Sequence, residues 1–561
     1  MIRCQSFFHL AVGLSSVVLI SSCAAKLKPL ASEHITADPR PLELVGTEVP
    51  ASFTINIPSK WMNKNAQVSF VPVLRYKGGE SWGATYTIQG ENVRDNNSVV
   101  PYEAGGTTHF STRFAYTPRM QESDLYLSFR ATIKGKQVTL PDVKVGEGVL
   151  STVTLAGVSG CTPVIAPDAF QRVIKDRYDA DILFLIQQAN VRSSELKKQE
   201  VSELRELIEN AHEAPNQRVS VEVQAYASPD GGLALNEKLS AQREKNTSDA
   251  LHRALARDIQ IAAHYTAEDW EGFRTFVEQS NIQDKDLILR VLSMYTDPEE
   301  REREIRNISL VFSQLAQDIL PKLRRSRVSA LVETIGKSDL EIAELAQNTP
   351  QKLTIEELLY AAAIAKTDKE KQQIYQKATG LYPKDARAYN NIAALLILQG
   401  KNSEAKTWLE RSRSVNDTPE ARLNLALLAL EEGKTSEAEE LIGQSLQSDN
   451  GEVLALLYLK QGKYEQALKA FGSTKSNNAA IAQLLNRQYD SAMESLNNVV
   501  RTNATTDYLK AIVAARMQDD RSAINFLSEA IRRDPSLRSR AILDKEFASL
   551  INNERFVQLL K

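Results

Sequence analysis

The fold of the C-terminal half of the chain can be inferred from the stretch AYNNIAALLILQGKNSEA, residues 388–405. This stretch is repeated as ARLNLALLALEEGKTSEA at residues 421–438. The offset is 33 residues, and the glycine and the final alanine keep their places in both copies. A shorter copy of the turn, QGKYEQA, follows at 461–467. Apolar residues recur at helical spacing in each copy. Because one helix pair cannot bury its own apolar face, the pattern predicts a stacked helical solenoid.

These copies resemble tetratricopeptide repeats, whose period is ~34 residues and whose turn glycine and packing alanine match Gly400 and Ala405. The resemblance predicts tetratricopeptide-type helical repeats over residues 340–561, in four to six copies. Solenoids of this kind present a groove that usually holds peptides or partner segments. A purely structural solenoid is the alternative. The pattern does not name the groove residues, because those positions vary within the family.

The N-terminus has the form of a signal peptide, with Arg3 before an apolar run from Phe7 to Ile20. The run ends in LISSC, which resembles the lipobox of bacterial lipoproteins. This resemblance implies cleavage after residues 1–22 and lipidation of Cys23, which would carry acyl groups such as palmitate. Two or more acyl chains hold a protein durably at a membrane, whereas one does so marginally. An ordinary signal peptide whose cleavage site happens to hold a cysteine is the alternative.

The residues that follow the lipobox bear on localisation. They read AAKLK, residues 24–28, and lack an aspartate at the second position. By the sorting habits of the lipoprotein family this implies an outer-membrane protein that faces the periplasm. We interpret residues 23–44 as a lipidated linker.

Residues 45–155 have a period of two, as in the alternating runs Phe53–Ile57 and Leu125–Ile133. Turn signals such as Lys77-Gly78-Gly79 separate the runs. Several short strands at this spacing predict an antiparallel β-sandwich.

Residues 170–335 mix strands and helices, which predicts an α+β domain. A short apolar run, residues 182–186, and an alternating run, residues 219–226, read as strands. The second run leads into ASPDGGLALNEKLSAQR, residues 227–243. This strand–loop–helix motif resembles the centre of OmpA-like peptidoglycan-binding domains. A helical insertion at about 265–320 precedes a strand that resembles the family's closing strand.

The OmpA-like resemblance implies a ligand site. In that family an aspartate after the strand and a later arginine hold the amino and carboxyl groups of diaminopimelate in peptidoglycan. The arginine corresponds to Arg243 and an asparagine to Asn236, but Ser228 stands at the aspartate position. Asp230 follows two residues later. Either Asp230 substitutes through a reshaped loop, or the domain has lost or changed its ligand.

The whole arrangement resembles a group of envelope lipoproteins from Bacteroidota. A net charge of -3 over 561 residues, without blocks of like charge, argues against nucleic acid as a partner. We find no catalytic motif, no metal-ligand spacing and no cofactor signature, so we expect a protein that is not an enzyme. The predicted function is an outer-membrane lipoprotein that binds envelope proteins through its repeats, in envelope, secretion or appendage assembly. The alternative is a peptidoglycan tether.

Overall fold

A computed structural model describes residues 27–282, 284–307, 309–445 and 451–561. The predicted signal peptide and Cys23 lie outside this range. The chain forms two compact units: the first runs to Ala166 and resumes at Tyr382, and the second spans Pro167–Leu381. Within the described residues, no helix has both the length and the apolarity that a membrane crossing requires.

The first unit begins with a β-rich region, so that part of the prediction is confirmed. Its strands are β1 Ile35–Asp38, β2 Leu42–Glu43, β3 Glu48–Ile57, β4 Ala66–Tyr76, β5 Gly79–Trp82, β6 Tyr86–Gly90, β7 Ser98–Val100, β8 Gly106–Ala115, β9 Ser123–Ile133, β10 Lys136–Glu147 and β11 Val149–Leu150. One sheet has the order β1-β3-β8, and the other has the order β10-β9-β4-β6-β7, with β5 paired to β4. A short parallel pair joins β11 to β2.

The alternation in the sequence explains how the two larger sheets pack. In β3, Phe53 and Ile55 are buried whereas Asn56 is exposed. Across the sheets, the ring of Phe110 in β8 stacks on that of Tyr86 in β6, with centroids 5.1 Å apart. Strands β1 and β2 lie within residues 23–44, which we expected to be a linker. This stretch is part of the folded region, because residues such as Leu42 are buried in the same core.

The second unit contains a four-stranded α/β domain, residues 173–335. Its elements are β12 Val173–Leu183, α1 Ser193–Leu196, α2 Gln199–Glu213, β13 Gln217–Tyr226, α3 Leu233–Ala254, β14 Ile261–Thr266, α4 Trp270–Gln279, α5 Lys285–Met294, α6 Pro298–Asn307, α7 Ser309–Asp318, α8 Leu320–Leu323 and β15 Arg325–Ile335. The sheet order is β12-β15-β13-β14, with only β13 and β14 parallel. Helices α4 to α8 stand between the last two strands, and they form a separate apolar core.

Strand β12 differs from the run expected at residues 182–186. It begins nine residues earlier, at Val173, and ends at Leu183. Only Ala180 and Ile182 are buried in this strand, since its first half lies outside the core and is held by pairing with β15. Hydrophobicity therefore marked only the end of the strand.

Helices fill the rest of both units. The second unit closes with α9 Asp339–Asn348, α10 Ile355–Ile364 and α11 Asp368–Leu381, and the first unit resumes with α12 Ala386–Leu398, α13 Asn402–Val415, α14 Pro419–Glu431, α15 Thr435–Gly443, α16 Gly451–Lys460, α17 Tyr464–Phe471, α18 Asn477–Leu485, α19 Tyr489–Asn497, α20 Ala504–Arg516, α21 Asp520–Arg533, α22 Leu537–Leu543 and α23 Glu554–Leu560. From α12 to α21 they form helix pairs. The turn inside each pair contains one residue with positive φ, namely Gly400, Gly433, Gly462, Arg487 and Gln518.

Candidate functional site

The motif at residues 227–243 forms the loop between β13 and α3 and the first half of α3. The structure brings all four predicted site residues together around one cavity of about 50 Å³, namely Ser228, Asp230, Asn236 and Arg243. Arg324, the residue before β15, lines the same cavity. The predicted residues therefore do converge on one place.

Arg243 is buried, with 1% of its surface exposed. Its Nε donates a hydrogen bond to the carbonyl oxygen of Gln188 at 3.0 Å, and Nη1 donates to that of Tyr226 at 2.9 Å. Nη2 lies 3.5 Å from the carbonyl oxygen of Leu185, and the guanidinium stacks over the ring of Phe184. Its donors thus hold backbone segments together, which leaves little of the planar fork for an external carboxylate.

Asp230 already has a cationic partner. Nη2 of Arg324 lies 2.9 Å from Oδ2 of Asp230, and Nε of Arg324 donates to Oγ of Ser228 at 3.2 Å. Ser228 in turn donates to Asp230. Burial, together with the nearby charge of Arg324, lowers the pKa of Arg243 to about 10. The cavity therefore holds two cations and one carboxylate, and the carboxylate is already paired with Arg324.

Asn236 and the inserted helices add hydrogen bonds to the loop between β13 and α3. Nδ2 of Asn236 donates to the carbonyl oxygen of Gly231 at 2.7 Å and to Glu268 at 3.2 Å. Arg306, on α6, donates to the carbonyl oxygen of Asp230 at 2.6 Å.

Sequence reasoning missed Arg324, although the run RRSR at 324–327 directly precedes and begins the predicted closing strand. Within the described part of the chain, no group of His, Cys, Asp and Glu could hold a metal ion.

A second site lies on the repeats of the first unit. Residues 156–166, which we call the clamp segment, run along the first helices of successive pairs, which we call the first-helix face. Asn391 on α12 accepts from the N–H of Ala166 at 2.8 Å and donates to its carbonyl oxygen at 3.0 Å. Asn424 on α14 contacts Val164 in the same way, with both distances 2.8 Å. Each asparagine therefore binds both polar groups of one backbone residue.

A third asparagine repeats this contact further along. Asn478 on α18 accepts from the N–H of Gly157 at 3.1 Å and donates to its carbonyl oxygen at 2.8 Å. A methyl group added at Gly160 would lie 2.5 Å from Oδ1 of Asn478, which is too close for contact. The segment must therefore be glycine at this point.

Charged side chains bind the backbone between the asparagines. Glu431 accepts from the N–H of Val158 at 3.2 Å, and Glu452 accepts from that of Thr162 at 2.9 Å. Nζ of Lys460 donates to the carbonyl oxygen of Ala156 at 2.6 Å, and burial lowers the pKa of this lysine. These contacts are charge-assisted, which makes them stronger than neutral hydrogen bonds.

The sequence carried a signal for this site. Asn391 and Asn424 occupy the same place in two repeats 33 residues apart, and both lie in the stretches that identify the repeat. A buried asparagine on an apolar helix needs a partner, since leaving its amide unsatisfied is costly. What the repeat could not supply was the identity of that partner, which lies more than two hundred residues away in the chain.

The β-rich region of the first unit also packs on the repeats. Oη of Tyr464 donates to the carbonyl oxygen of Leu44 at 2.8 Å. Arg516 forms ion pairs with Glu546 at 2.6 Å and with Glu43 at 3.3 Å. The clamp segment thus continues from a region already docked on the same solenoid.

Comparison with known proteins bears on the helices. Residues 386–416, which span α12 and α13, match the tetratricopeptide repeat family. No curated protein matches the chain. Among solved structures it is similar to the APC/C hetero-tetramer Cut9-Hcn1, at 15% identity and TM-score 0.29, covering 58% of this chain and 62% of that chain.

Two bacterial structures are also similar. The first is Pseudomonas aeruginosa pilF, at 16% identity and TM-score 0.26, with 38% of this chain and 99% of that chain covered. The second is a tetratricopeptide repeat protein from Parabacteroides merdae, at 13% identity and TM-score 0.25, with 50% and 99% covered. TM-scores this low do not establish a shared overall fold. The family match itself confirms a tetratricopeptide repeat in the C-terminal helical region.

Proposed function

We propose that this chain is an outer-membrane lipoprotein, anchored through Cys23, that serves as a periplasmic scaffold for envelope proteins. The observation that supports it most is the first-helix face, where Asn391, Asn424 and Asn478 bind the backbone of the clamp segment. A surface that satisfies both the N–H and the carbonyl of a chain is equipped to bind peptide. Its role would be non-enzymatic and would need no cofactor.

The anchor and the repeats together explain the scaffold role. A lipidated Cys23 would hold the chain at the membrane while the repeats bind a partner in secretion or appendage assembly. Two attachment points on one chain raise the local concentration of the partner, so each contact can be weak. Tetratricopeptide repeats generally mediate contacts between proteins, and their stacked helices offer an extended surface for them.

Two measurements test this proposal in the native cell. Cys23→Ser should shift the chain from the outer membrane to the soluble fraction and abolish palmitate labelling. A photo-crosslinking residue at the exposed Leu398, at the end of α12, should give one discrete product with an envelope protein. The matched control is Val138, which has the same exposed fraction, 37%, on the β-rich region. Equal products from both positions, or none from any position on the repeats, would contradict the scaffold.

A second candidate is the peptidoglycan tether, and the convergence of Ser228, Asp230, Asn236 and Arg243 on one cavity favours it. We infer that the domain is OmpA-like from the β13–α3 motif and the closing strand β15. Arg324 is already paired with the carboxylate of Asp230, which a ligand ammonium would need, so we rank this candidate second. Sedimentation of the chain with purified diaminopimelate-type peptidoglycan tests it. Binding by the wild type that is lost in Asp230→Ala would reverse the order of the two candidates.

A further inference from the structure

The contacts that hold the clamp segment go almost entirely to its backbone. Asn391, Asn424 and Asn478 each bind one N–H and one carbonyl, and the charged residues bind single backbone groups. The side chains contribute less. Ile165 is 43% exposed, and the buried positions Val158 and Cys161 carry small or medium side chains. Recognition of this kind depends on the backbone conformation of the segment, which includes a 3-10 turn at Val158–Gly160, and tolerates many side chains.

We propose that the first-helix face binds peptides that adopt the backbone conformation of the clamp segment, and that the clamp segment is an intrachain ligand that an external peptide displaces. This inference rests on the proposed function, because it specifies how the repeats would take a partner. The partner class is a segment of an envelope protein that can adopt this backbone conformation, with a glycine where Gly160 approaches Asn478. The direction of that segment follows the clamp segment, with its C-terminal end at Asn391.

The energetics permit exchange. Each hydrogen bond to the segment stabilises it by about 0.5–1.5 kcal/mol net, because release exchanges it for bonds to water. After release, the three asparagine amides and the carboxylates of Glu431 and Glu452 face a groove that water can enter, so no polar group stays buried without a partner. The segment also buries few large apolar side chains, which are the main source of tight binding.

The covalent connection opposes exchange. Since the segment is part of the same chain, its effective concentration at the groove is about millimolar or above. An external peptide with the same contacts therefore binds the wild type weakly. A peptide with larger side chains at exposed positions, such as that of Ile165, gains further contacts and competes better. The first-helix face is thus selective for peptides that bind it more tightly than the clamp segment does.

The first experiment measures binding of a fluorescein-labelled peptide with the sequence of residues 156–166, in which Cys161 is replaced by serine. The protein is the full chain with Cys4→Ser and Cys23→Ser. A release variant combines Gly160→Val, which clashes with Asn478, and Val164→Pro, which removes the N–H given to Asn424. Ser159→Ala, at an exposed position of the same segment, is the matched control.

We expect the release variant to bind the peptide at least about tenfold more tightly than the wild type and the control, as judged by fluorescence anisotropy, because the competing intrachain ligand is weakened. Adding Asn424→Ala should remove that gain. A release variant that retains the helical circular dichroism of the wild type but binds no better would overturn the proposal. So would a gain that persists after Asn424→Ala.

Cys161 supplies a second readout in the same background, where it is the remaining cysteine. Its thiol is buried, burial raises its pKa, and Nδ2 of Asn478 lies 3.1 Å from its sulfur. Thiol reagents should therefore react slowly with the wild type and at least about tenfold faster with the release variant, because the thiolate is the reactive form. Excess peptide, with its serine in place of cysteine, should accelerate the reaction in the wild type. Protection that excess peptide does not change would show that the segment is not displaced.

If the release variant fails to fold, hydrogen exchange of the wild type decides. The amides of Gly157, Val158, Thr162, Val164 and Ala166 should exchange by local opening, before those of α12. Exchange of both sets only together would mean a permanent contact and overturn the proposal. These assays use no cellular partner. Peptide binding in these assays without crosslinking in the cell would therefore contradict the scaffold function alone. Crosslinking in the cell without peptide binding would contradict the displacement of the clamp segment alone.

Discussion

Nη2 of Arg324 lies 2.9 Å from Oδ2 of Asp230, so the carboxylate that we predicted for a ligand ammonium is already paired within the domain. Both side chains are largely buried, with 11% and 18% exposed. A buried pair of this kind resists separation, because removing one partner leaves an uncompensated charge. The two charged side chains therefore bind each other within the domain.

The first prediction concerns Arg324→Gln. This change leaves Asp230 available to an external ammonium, while glutamine still reaches Ser228. We expect the wild type to stay in solution when diaminopimelate-type peptidoglycan is sedimented, and Arg324→Gln to sediment with it. Arg324→Gln combined with Asp230→Asn should lose that binding. Arg327→Gln, three residues further along the chain and paired with Asp181, is the control. Sedimentation of the wild type would show that Asp230 works with Arg324 in place.

The second prediction concerns Arg243, whose donors hold the carbonyls of Gln188 and Tyr226. Arg243→Ala should lower the free energy of unfolding by about 3 kcal/mol, because it leaves buried acceptors unpaired and opens a cavity. Arg243→Lys should recover only part, since an ammonium lacks the planar fork. Lys238→Ala, exposed on the same helix, is the control for urea unfolding.

This result would also affect how binding data are read. If Arg243→Ala unfolds part of the domain, its loss of peptidoglycan binding would not identify a ligand contact. An unfolding free energy within about 0.5 kcal/mol of the wild type, the range of ordinary surface changes, would instead show that the guanidinium is available for other work.

The sequence predicted the parts of the fold that local patterns encode. The glycines at 400 and 433 identified the repeat, because each adopts the positive φ that a tight turn requires. The later turns use Arg487 and Gln518 at positive φ, so no glycine marks those two turns in the sequence. Strand β12 was placed too late because its first half is polar and has no core to face.

The sites were harder to predict because they depend on distant residues. The four candidate residues of the motif at 227–243 line one cavity, yet Arg324 joins them from 94 residues beyond Asp230. Likewise, the repeat contains Asn391 and Asn424, but nothing local indicates that residues 156–166 bind there. Such pairings follow from tertiary packing, which periodicity does not encode.

The third prediction compares two glycines in equivalent turns. Gly433 and Gly462 have φ of 75° and 73°, so alanine at either position should cost about 1 kcal/mol for the left-handed backbone. Around Gly433 nothing lies within 4 Å of the added methyl group. At Gly462 the methyl group would lie 2.6 Å from Cγ1 of Val45, in the β-rich region.

Gly462→Ala should therefore destabilise the chain by about 1–3 kcal/mol more than Gly433→Ala, because it also forces apart the packed β-rich region and repeats. Thermal unfolding of the two variants measures the difference directly. Equal midpoints would mean that the β-rich region moves aside without cost, and that its packing on the solenoid contributes little to stability.

The last prediction is a pH dependence at Asp544, which begins the final 3-10 turn. Its Oδ2 accepts from Oη of Tyr508 at 2.8 Å, and its Oδ1 accepts from the N–H of Glu546 at 3.1 Å. Burial, and then the charge of Glu546, raise the pKa of Asp544 above its ordinary value of 3.8. The folded state therefore binds this proton more tightly than the unfolded state. Its contribution to stability is complete below pH 3.8 and is lost as the pH rises through the folded pKa.

Asp544→Asn removes this titration and keeps both hydrogen bonds, since the amide oxygen accepts from Glu546 and the amide nitrogen can donate to Tyr508. The variant should match the wild type in urea unfolding near pH 3.5 and exceed it at pH 7 to 8. Other groups titrate in both proteins, so the difference between them isolates Asp544. A variant that loses stability relative to the wild type as the pH rises would mean that the ionised carboxylate is stabilising, through Arg540 at 3.8 Å. That result would make the C-terminal end of the repeats dependent on an ion pair instead of a shared proton.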